Sequence, residues 1–323
     1  MRLTETVQAH LRPDRAAENY SQIQGGCLSD IFSTAIDVLS GTIKQKEPEY
    51  KTRIFQLRDI PSVMRSRLGW PVAANLMDRW FAGTAFAMPP EMKESRGIYP
   101  LNKLSAAHLE ESMVRMSWAL GFNRVRTAMA QLQAKWASPA GIKQLKTRVE
   151  RGSSRHVGQC WRFGNLGLPA KELDDTCQVN FLLFGKMGDP MDDFYGAMGE
   201  AQIKIAASGI VTPQENGKLS VDIDELGFYL RDSYDFQDGN NFISQPLGCW
   251  GFNGVECNTS FRGSINIEDK VADINHASAA GRKYLVQNSD FQKWRAKNQR
   301  GGDFMVLSDV HRVTLPFPQK FVF

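Results

Sequence analysis

The first half of the chain carries apolar residues at the three- and four-residue spacing that is typical of amphipathic helices. Over Ile31–Ile43 this spacing predicts a helix, with Ser29 and Asp30 placed to cap its first turn. Pro61 and Pro71 each stand at a position where helices begin, and apolar residues follow both of them. The pattern therefore predicts a mainly helical N-terminal portion.

Two segments interrupt this helical pattern. Prolines at positions 89, 90 and 100 predict that residues 88–104 form a surface loop. From Val114 to Leu120 every second residue is apolar, which predicts a half-buried strand, and Thr127–Trp136 returns to helical spacing.

The pattern changes to that of β-strands from about residue 157. Strands are predicted at Val179–Phe184, Ile203–Ala207, Leu219–Ile223, Leu226–Leu230, Met305–Leu307 and Val310–Phe323. Asn216–Gly217 lies between two of them and predicts a hairpin turn. Pro316 and Pro318 favour an edge strand or a tail for the last segment. A short amphipathic helix is predicted at Asn288–Arg295.

These elements predict an α+β fold, in which a helical N-terminal portion packs on a C-terminal antiparallel β-sheet or partly open β-barrel. The change from helical to strand patterning predicts a mainly helical region at residues 1–155 and a β-rich catalytic region at residues 156–323. No Gly/Ser-rich or Pro-rich linker separates them, so one continuous domain stays an alternative. Residues 1–55 are a candidate delivery segment.

Composition and charge restrict the function. No apolar run approaches the length of a membrane span, and the N-terminus lacks the apolar core of a secretory signal, which predicts synthesis in the cytoplasm without a signal peptide. The five cysteines form no CxxC pair, which favours reduced thiols. Residues 1–150 are basic and residues 151–262 are acidic, but no run of five basic residues occurs, so no nucleic acid is expected as a partner.

An acidic cluster after the Leu226–Leu230 strand is the main candidate for chemistry. Asp232 and Asp235 can hold Mg²⁺ or activate water, Tyr234 can donate to a developing negative charge, and Arg231 can bind a phosphate of the substrate. Asp232 is the candidate metal ligand. These groups are typical of a phosphoester or pyrophosphate hydrolase. The alternative is a strand end with solvated acids, a core tyrosine and an arginine that pairs with an aspartate.

His311 and Arg312 form the one His-Arg dipeptide of the sequence. If the last strand packs beside the acidic cluster, they would add a general acid or base and a phosphate ligand to the catalytic residues. The alternative is that both side chains lie on the exposed face of an edge strand.

Several segments from residue 54 onward resemble an uncharacterised proteobacterial family of unknown function that is associated with type VI secretion loci. They are Gly69–Ala73, Met77–Phe81, Leu226–Phe236, Gln245–Gly248 and Trp294–Phe304. The resemblance implies an effector that is delivered by cell contact.

The β half is also similar to the catalytic domain of the colicin M bacteriocins. These are Mg²⁺-dependent phosphatases that cut lipid II between the undecaprenyl chain and the pyrophosphate. The resemblance implies that Asp232 is the essential acid, supported by Tyr234 and Asp235. In that family a His-Arg dipeptide follows shortly after the second aspartate. Here Phe236–Asn241 occupies that place, and His311–Arg312 is the candidate replacement.

Together the resemblances imply an antibacterial type VI effector that hydrolyses lipid II in the periplasm of the target cell. Its expected partners are the lipid-linked substrate at the membrane surface, a cognate immunity protein and a component of the secretion spike. Two alternatives remain. One is a non-enzymatic adaptor or chaperone of the spike, which the Trp- and Met-rich helical portion favours. The other is a nuclease toxin, for which the basic first part is the support.

Overall fold

The computed structural model describes residues 53–94, 99–186, 188–238, 244–256 and 283–323, and the backbone of residues 265–266. The predicted helix at Ile31–Ile43 and nearly all of the candidate delivery segment lie outside the described residues. Thr52–Phe323 form one compact unit. The division at residues 155 and 156 stays a prediction.

All of the α-helices in the described residues except the last precede residue 201. The α-helices are α1 (Ile60–Val63), α2 (Pro71–Ala82), α3 (Pro90–Glu94), α4 (Met116–Ala119), α5 (Asn123–Ala134), α6 (Pro139–Ser153), α7 (Ala170–Thr176), α8 (Asp193–Met198) and α9 (Asn288–Asn298). A π-helix at Met64–Leu68 follows α1, and 3-10 turns lie at Leu57–Asp59 and Leu101–Lys103. The predicted helix starts at Pro61 and Pro71 are confirmed, because each proline is among the first helical residues. The predicted helix at Asn288–Arg295 is also confirmed.

Two of the sequence predictions for this part are wrong. The segment from Val114 to Leu120 contains α4 instead of a strand, because Met116 and Ala119, three residues apart, are the buried positions of one helical turn. The carboxylate of Asp309 accepts a hydrogen bond from the N–H of Met116 at 2.6 Å and caps this turn. The predicted loop at residues 88–104 contains α3, which is anchored by the buried side chain of Met92.

In the described parts of the chain the main sheet has seven strands. They are β1 (Leu109–Glu110), β2 (Trp161–Phe163), β3 (Gln178–Phe184), β4 (Ala201–Pro213), β5 (Leu219–Tyr234), β10 (Phe304–Leu307) and β11 (His311–Val322). The strand order is β1-β10-β5-β4-β2, with β11 also paired to β5 and β3 also paired to β4. The sheet curls into a half-barrel, so the predicted α+β class with a partly open barrel is confirmed. All pairings are antiparallel except that of β1 with β10.

The long hairpin of β4 and β5 forms the centre of the half-barrel. Its turn contains Asn216–Gly217 as predicted, and Gly217 has a φ of 76°, which glycine adopts without strain. The inward side chains of both strands are fully buried. The predicted edge position of the last strand is also confirmed, since β11 pairs only with β5 among the described strands.

Among the described residues, a second sheet of four strands lies beside helix α1 and the π-helix that follows it. It contains β6 (Pro246–Gly251), β7 (Gly254–Glu256), β8 (Ile265–Asn266) and β9 (Tyr284–Gln287) in the order β7-β6-β9-β8. Trp250 of this sheet packs edge-to-face on Trp70, with ring centroids 6.2 Å apart. None of the helices in the described parts of the chain has the length and apolar content needed to cross a bilayer.

Candidate functional site

The site lies at the open end of the β4–β5 hairpin, where β5 extends further than its partner β4. Pairing of β4 with β5 ends at Gln202 and Arg231, whereas β5 continues to Tyr234. On its other side, β5 stays paired with β10, and Tyr234 lies opposite Phe304. Among the described strands, the last three residues of β5 therefore have a neighbour on one side only, and a cleft opens beside them.

The turn that leads from α8 into β4 borders the cleft, because Gly199 and Glu200 line it. Gly199 follows α8 with a φ of 54°, and β4 starts two residues later. The carboxylate of Asp193 holds α8 against the start of α2, because it accepts hydrogen bonds from the N–H groups of Ala73 at 2.8 Å and Val72 at 3.2 Å. Burial raises the pKa of Asp193 despite these hydrogen bonds.

The cleft has a volume of about 460 Å³, and its lining contains two chemically different groups of residues, here called its apolar side and its polar side. The apolar side is lined by Ile60, Met64, Trp70, Met77, Leu247 and Trp250. The polar side carries the ionisable residues Lys186, Glu200, Asp232 and Asp235. A ligand with both an apolar and a charged part matches this division.

Asp232 and Asp235 lie at the polar side of the cleft. The carboxylate of Asp232 accepts a hydrogen bond from the N–H of Ser233 at 2.8 Å. Burial raises the pKa of Asp232 well above its usual range; the charge of Asp235 adds to this rise, whereas Arg231 and Lys93 oppose it. Asp232 therefore carries a proton more readily than a solvent-exposed carboxylate does.

Asp235 is bound by a residue that the sequence did not indicate. Its Oδ1 atom lies 2.6 Å from Nζ of Lys93 in α3 and accepts a hydrogen bond from the N–H of Gln237 at 3.2 Å. The side chain of Asp235 is 9% exposed and that of Lys93 is 31% exposed. The two partners are 142 positions apart in the sequence, and no local pattern signals such a contact.

Tyr234 shapes the site through packing. Its ring stacks on Phe304 at 5.3 Å and meets Phe236 edge-to-face at 5.6 Å. Burial raises the pKa of Tyr234 far above its usual value, so the phenol is neutral at physiological pH.

Arg231 belongs to the opposite face of β5 from Asp232, because successive side chains of a strand alternate. Its guanidinium is buried and donates to the carbonyl oxygen of Lys93. Burial lowers the pKa of Arg231, although the nearby Asp174, Tyr229 and Asp232 favour its charge. The observed contact places Arg231 as an anchor for α3 and Lys93.

The structure does not bring His311 and Arg312 to this site. His311 pairs with Phe228 and Arg312 with Gly227. Four residues of β5, or about 13 Å at the rise of a strand, separate Phe228 from Asp232. Arg312 is exposed and makes a bidentate ion pair with Glu225, with Nε to Oε1 at 2.7 Å.

The residues of the site also bear on the predicted Mg²⁺. In the described parts of the chain, no group of three or more His, Cys, Asp or Glu side chains is arranged to hold a metal ion. Proteins commonly bind Mg²⁺ with one or two carboxylates and leave the other positions to water and substrate phosphates. Asp235 fits this smaller requirement and would hold the ion, and Asp232, the predicted ligand, would join it only in its ionised form, which burial disfavours.

Comparison with known proteins gives the chain a family but no described relative. No curated protein and no solved structure matches it significantly. The expectation of an uncharacterised family is confirmed, whereas the links to type VI secretion and to colicin M stay predictions. A family of unknown function, DUF6402, matches residues 55–323, which is most of the chain, and the protein therefore belongs to this family.

Proposed function

We propose that this protein is a hydrolase that cleaves a lipid-linked pyrophosphate precursor of peptidoglycan, and that it acts as an antibacterial type VI effector in the target periplasm. The observation that carries the proposal is the carboxylate pair Asp232 and Asp235 at the open end of β5, with Lys93 bound to one of its members. The apolar side of the cleft supports an amphiphilic substrate.

In the proposed reaction, water adds across the ester bond between the prenyl chain and the pyrophosphate. The products are a prenyl alcohol and a sugar that carries the pyrophosphate. Bound Mg²⁺ would neutralise the charge of the pyrophosphate. Asp232, whose pKa is raised by burial, exchanges the proton that moves between water and the leaving group. Asp235 is held in place by Lys93, and the exposed Lys186, which lines the cleft, would attract the anion.

The proposal is tested with the purified full chain, Mg²⁺ and a lipid-linked pyrophosphate precursor in detergent, by separating the products chromatographically. We expect release of the prenyl alcohol and of the pyrophosphorylated sugar. In parallel, the chain is expressed in a bacterial host with and without a periplasmic signal, and we expect lysis only with the signal. No toxicity in either compartment would favour the adaptor hypothesis, and toxicity only in the cytoplasm would favour the nuclease hypothesis.

Replacing Lys93 with Met is expected to reduce hydrolysis by about 10- to 100-fold, the range found when groups that orient catalytic ligands are removed. The reason is that Asp235 loses its cation and its fixed position. The measurement is the initial rate at saturating Mg²⁺, and Lys93→Arg should restore part of the activity because it keeps the charge.

Lys171→Met is the matched control for this prediction. Lys171 pairs with Glu111 at 2.7 Å, close to the 2.6 Å between Lys93 and Asp235, and the 30% exposure of its side chain is close to the 31% of Lys93. Lys171 does not line the cleft. The Lys171 variant should therefore keep the wild-type rate. Equal losses of activity in both methionine variants would contradict the role assigned to Lys93.

A further inference from the structure

The side-chain amides of Gln237 and Asn288 line the cleft beside the carboxylates. Gln237 comes two residues after Asp235, and its N–H donates to Oδ1 of Asp235 at 3.2 Å. Asn288 is the first residue of α9, and its Nδ2 atom donates to the carbonyl oxygen of Gln237 at 3.3 Å. The two residues are therefore in contact with each other, and Gln237 adjoins Asp235. We call Gln237 and Asn288 the amide pair.

The protein fixes which end of each amide is offered to a ligand. Nε2 of Gln237 donates to the carbonyl oxygen of Met88 and to Oδ2 of Asp303, both at 2.8 Å, so both of its protons are used. Nδ2 of Asn288 is held by Gln237. Among the described residues, no group donates to Oε1 of Gln237 or to Oδ1 of Asn288. Each amide therefore offers its oxygen to the cleft as a hydrogen-bond acceptor.

The burial of Asn288 makes its free acceptor selective. The residue is only 4% exposed, although it lines the cleft. A ligand that fills the cleft beside it removes Oδ1 from water, and a buried acceptor without a donor is costly. The ligand must therefore bring a hydrogen-bond donor to this position.

The three parts of the proposed substrate differ in what they can donate. The prenyl chain has no hydrogen-bonding group, and the oxygens of the pyrophosphate are acceptors that the amide oxygens would repel. The sugar carries hydroxyl groups, which are donors. Within this substrate, only the sugar complements the amide pair. A cation bound by the two amide oxygens is the competing occupant, since hard cations also take amide oxygens as ligands.

We propose that Asn288 and Gln237 determine the specificity of the cleft for a pyrophosphate that carries a hydroxylated sugar. Their Oδ1 and Oε1 atoms accept hydrogen bonds from the donors of the sugar next to the pyrophosphate. The inference rests on the proposed function, because it assigns the amide pair to one part of that substrate. A prenyl pyrophosphate without the sugar leaves both acceptors unsatisfied and binds more weakly.

The test is the dissociation constant of two probes, measured by isothermal titration calorimetry with the purified full chain at saturating Mg²⁺. The sugar probe is N-acetylglucosamine 1-pyrophosphate, which has hydroxyl and amide donors. The second probe is cyclohexyl pyrophosphate, which also has a six-membered ring but no donor on it. Neither probe contains the prenyl ester. We expect the wild type to bind the sugar probe at least about tenfold more tightly, as two added hydrogen bonds of ordinary strength would give.

Replacing Asn288 with Ala is expected to weaken binding of the sugar probe by about 2- to 10-fold, because one acceptor is lost. Binding of cyclohexyl pyrophosphate should not change, which also shows that the variant keeps a folded cleft. Gln292→Ala is the matched control. Gln292 lies in α9 too, and its Nε2 donates to the carbonyl oxygen of Phe236 at 2.9 Å, so it binds the same segment after β5. It does not line the cleft, and its variant should keep the wild-type preference.

Several outcomes would overturn the inference. One is a wild type without preference for the sugar probe, a comparison that needs no variant. Another is an Asn288→Ala variant that keeps the full preference, or that loses affinity for both probes equally, as an amide bound to the metal would predict. The third is a Gln292→Ala variant that loses the preference as much as Asn288→Ala does.

Hydrolysis of the lipid-linked precursor in detergent is measured separately with the wild type. A protein that prefers the sugar probe through Asn288 but does not hydrolyse the precursor would refute the proposed function alone. A protein that hydrolyses the precursor but binds both probes equally would refute the sugar recognition alone.

Discussion

Replacing Asp303 with Asn is expected to lower the free energy of unfolding by about 3–5 kcal/mol, the range for removing one partner of a buried ion pair. Asp303 is fully buried, and its Oδ1 atom lies 3.1 Å from NH1 of Arg295, which is itself 8% exposed. The amide cannot balance the charge of Arg295, so the variant leaves that charge buried without its carboxylate.

The hydrogen bonds of Asp303 add to this cost. Oδ1 accepts from Nε1 of Trp80 at 2.8 Å, and Oδ2 accepts from the N–H of Met88 at 3.0 Å and from Nε2 of Gln237 at 2.8 Å. Asparagine has only one acceptor oxygen, so its NH₂ group must face at least one of these donors. The contacts join α2, the segment before α3 and the residues after β5, and their loss loosens the support of the cleft.

The expected change is measured by urea unfolding, with Asp224→Asn as the control. Asp224 makes a bidentate ion pair with Arg162, at 2.6 Å and 3.0 Å, and these side chains are 35% and 45% exposed. Exposed pairs contribute about 0–1 kcal/mol, so the control should stay close to the wild type. A loss below about 1 kcal/mol for Asp303→Asn would contradict the assigned role, since removal of a buried partner costs several times more.

The central strand shows how far the hydrophobic pattern predicts this fold. The alternation over Leu219–Ile223 and Leu226–Leu230 predicted two strands, but the structure has one strand of 16 residues. The register of β4 and β5 shifts between Ser208 and Gly209, opposite Ile223–Glu225. Such a bulge inserts a residue that breaks the alternation without ending the strand, so periodicity alone divides it in two.

The candidate site was predictable only where its residues are close in sequence. Asp232 and Asp235 belong to one short segment, and residue type alone indicated them. Lys93 and Asp303 reach that segment through tertiary contacts, which a local pattern does not encode. The position of His311 depends on the register of β11, and register is a property of strand pairing that the composition of the strand leaves open.

Asp232→Asn is expected to reduce hydrolysis of the lipid-linked pyrophosphate by about 10³-fold, which is within the range for loss of a general acid or base. This loss corresponds to about 4 kcal/mol of transition-state stabilisation. The amide keeps the shape of the side chain but cannot exchange the proton or carry the negative charge. The measurement is the initial rate at saturating Mg²⁺, with Asp222→Asn as the control, because Asp222 lies on the same strand ten residues from the site.

Asp232→Asn is expected to raise stability while it lowers activity, so a loss of catalysis can be distinguished from unfolding of the variant. Burial raises the pKa of Asp232 in the folded protein above its value of about 3.9 in the unfolded chain. Between these two values the folded state binds more protons, so the wild type loses stability as the pH rises. The Asp232→Asn variant has no titratable group at this position, so its stability does not fall with pH in this way.

We therefore expect the variant to be more stable than the wild type in urea at pH 7, with the difference in the free energy of unfolding shrinking below about pH 4. An active variant, or an inactive one that is less stable at pH 7, would refute the assignment of Asp232 as the proton-carrying acid.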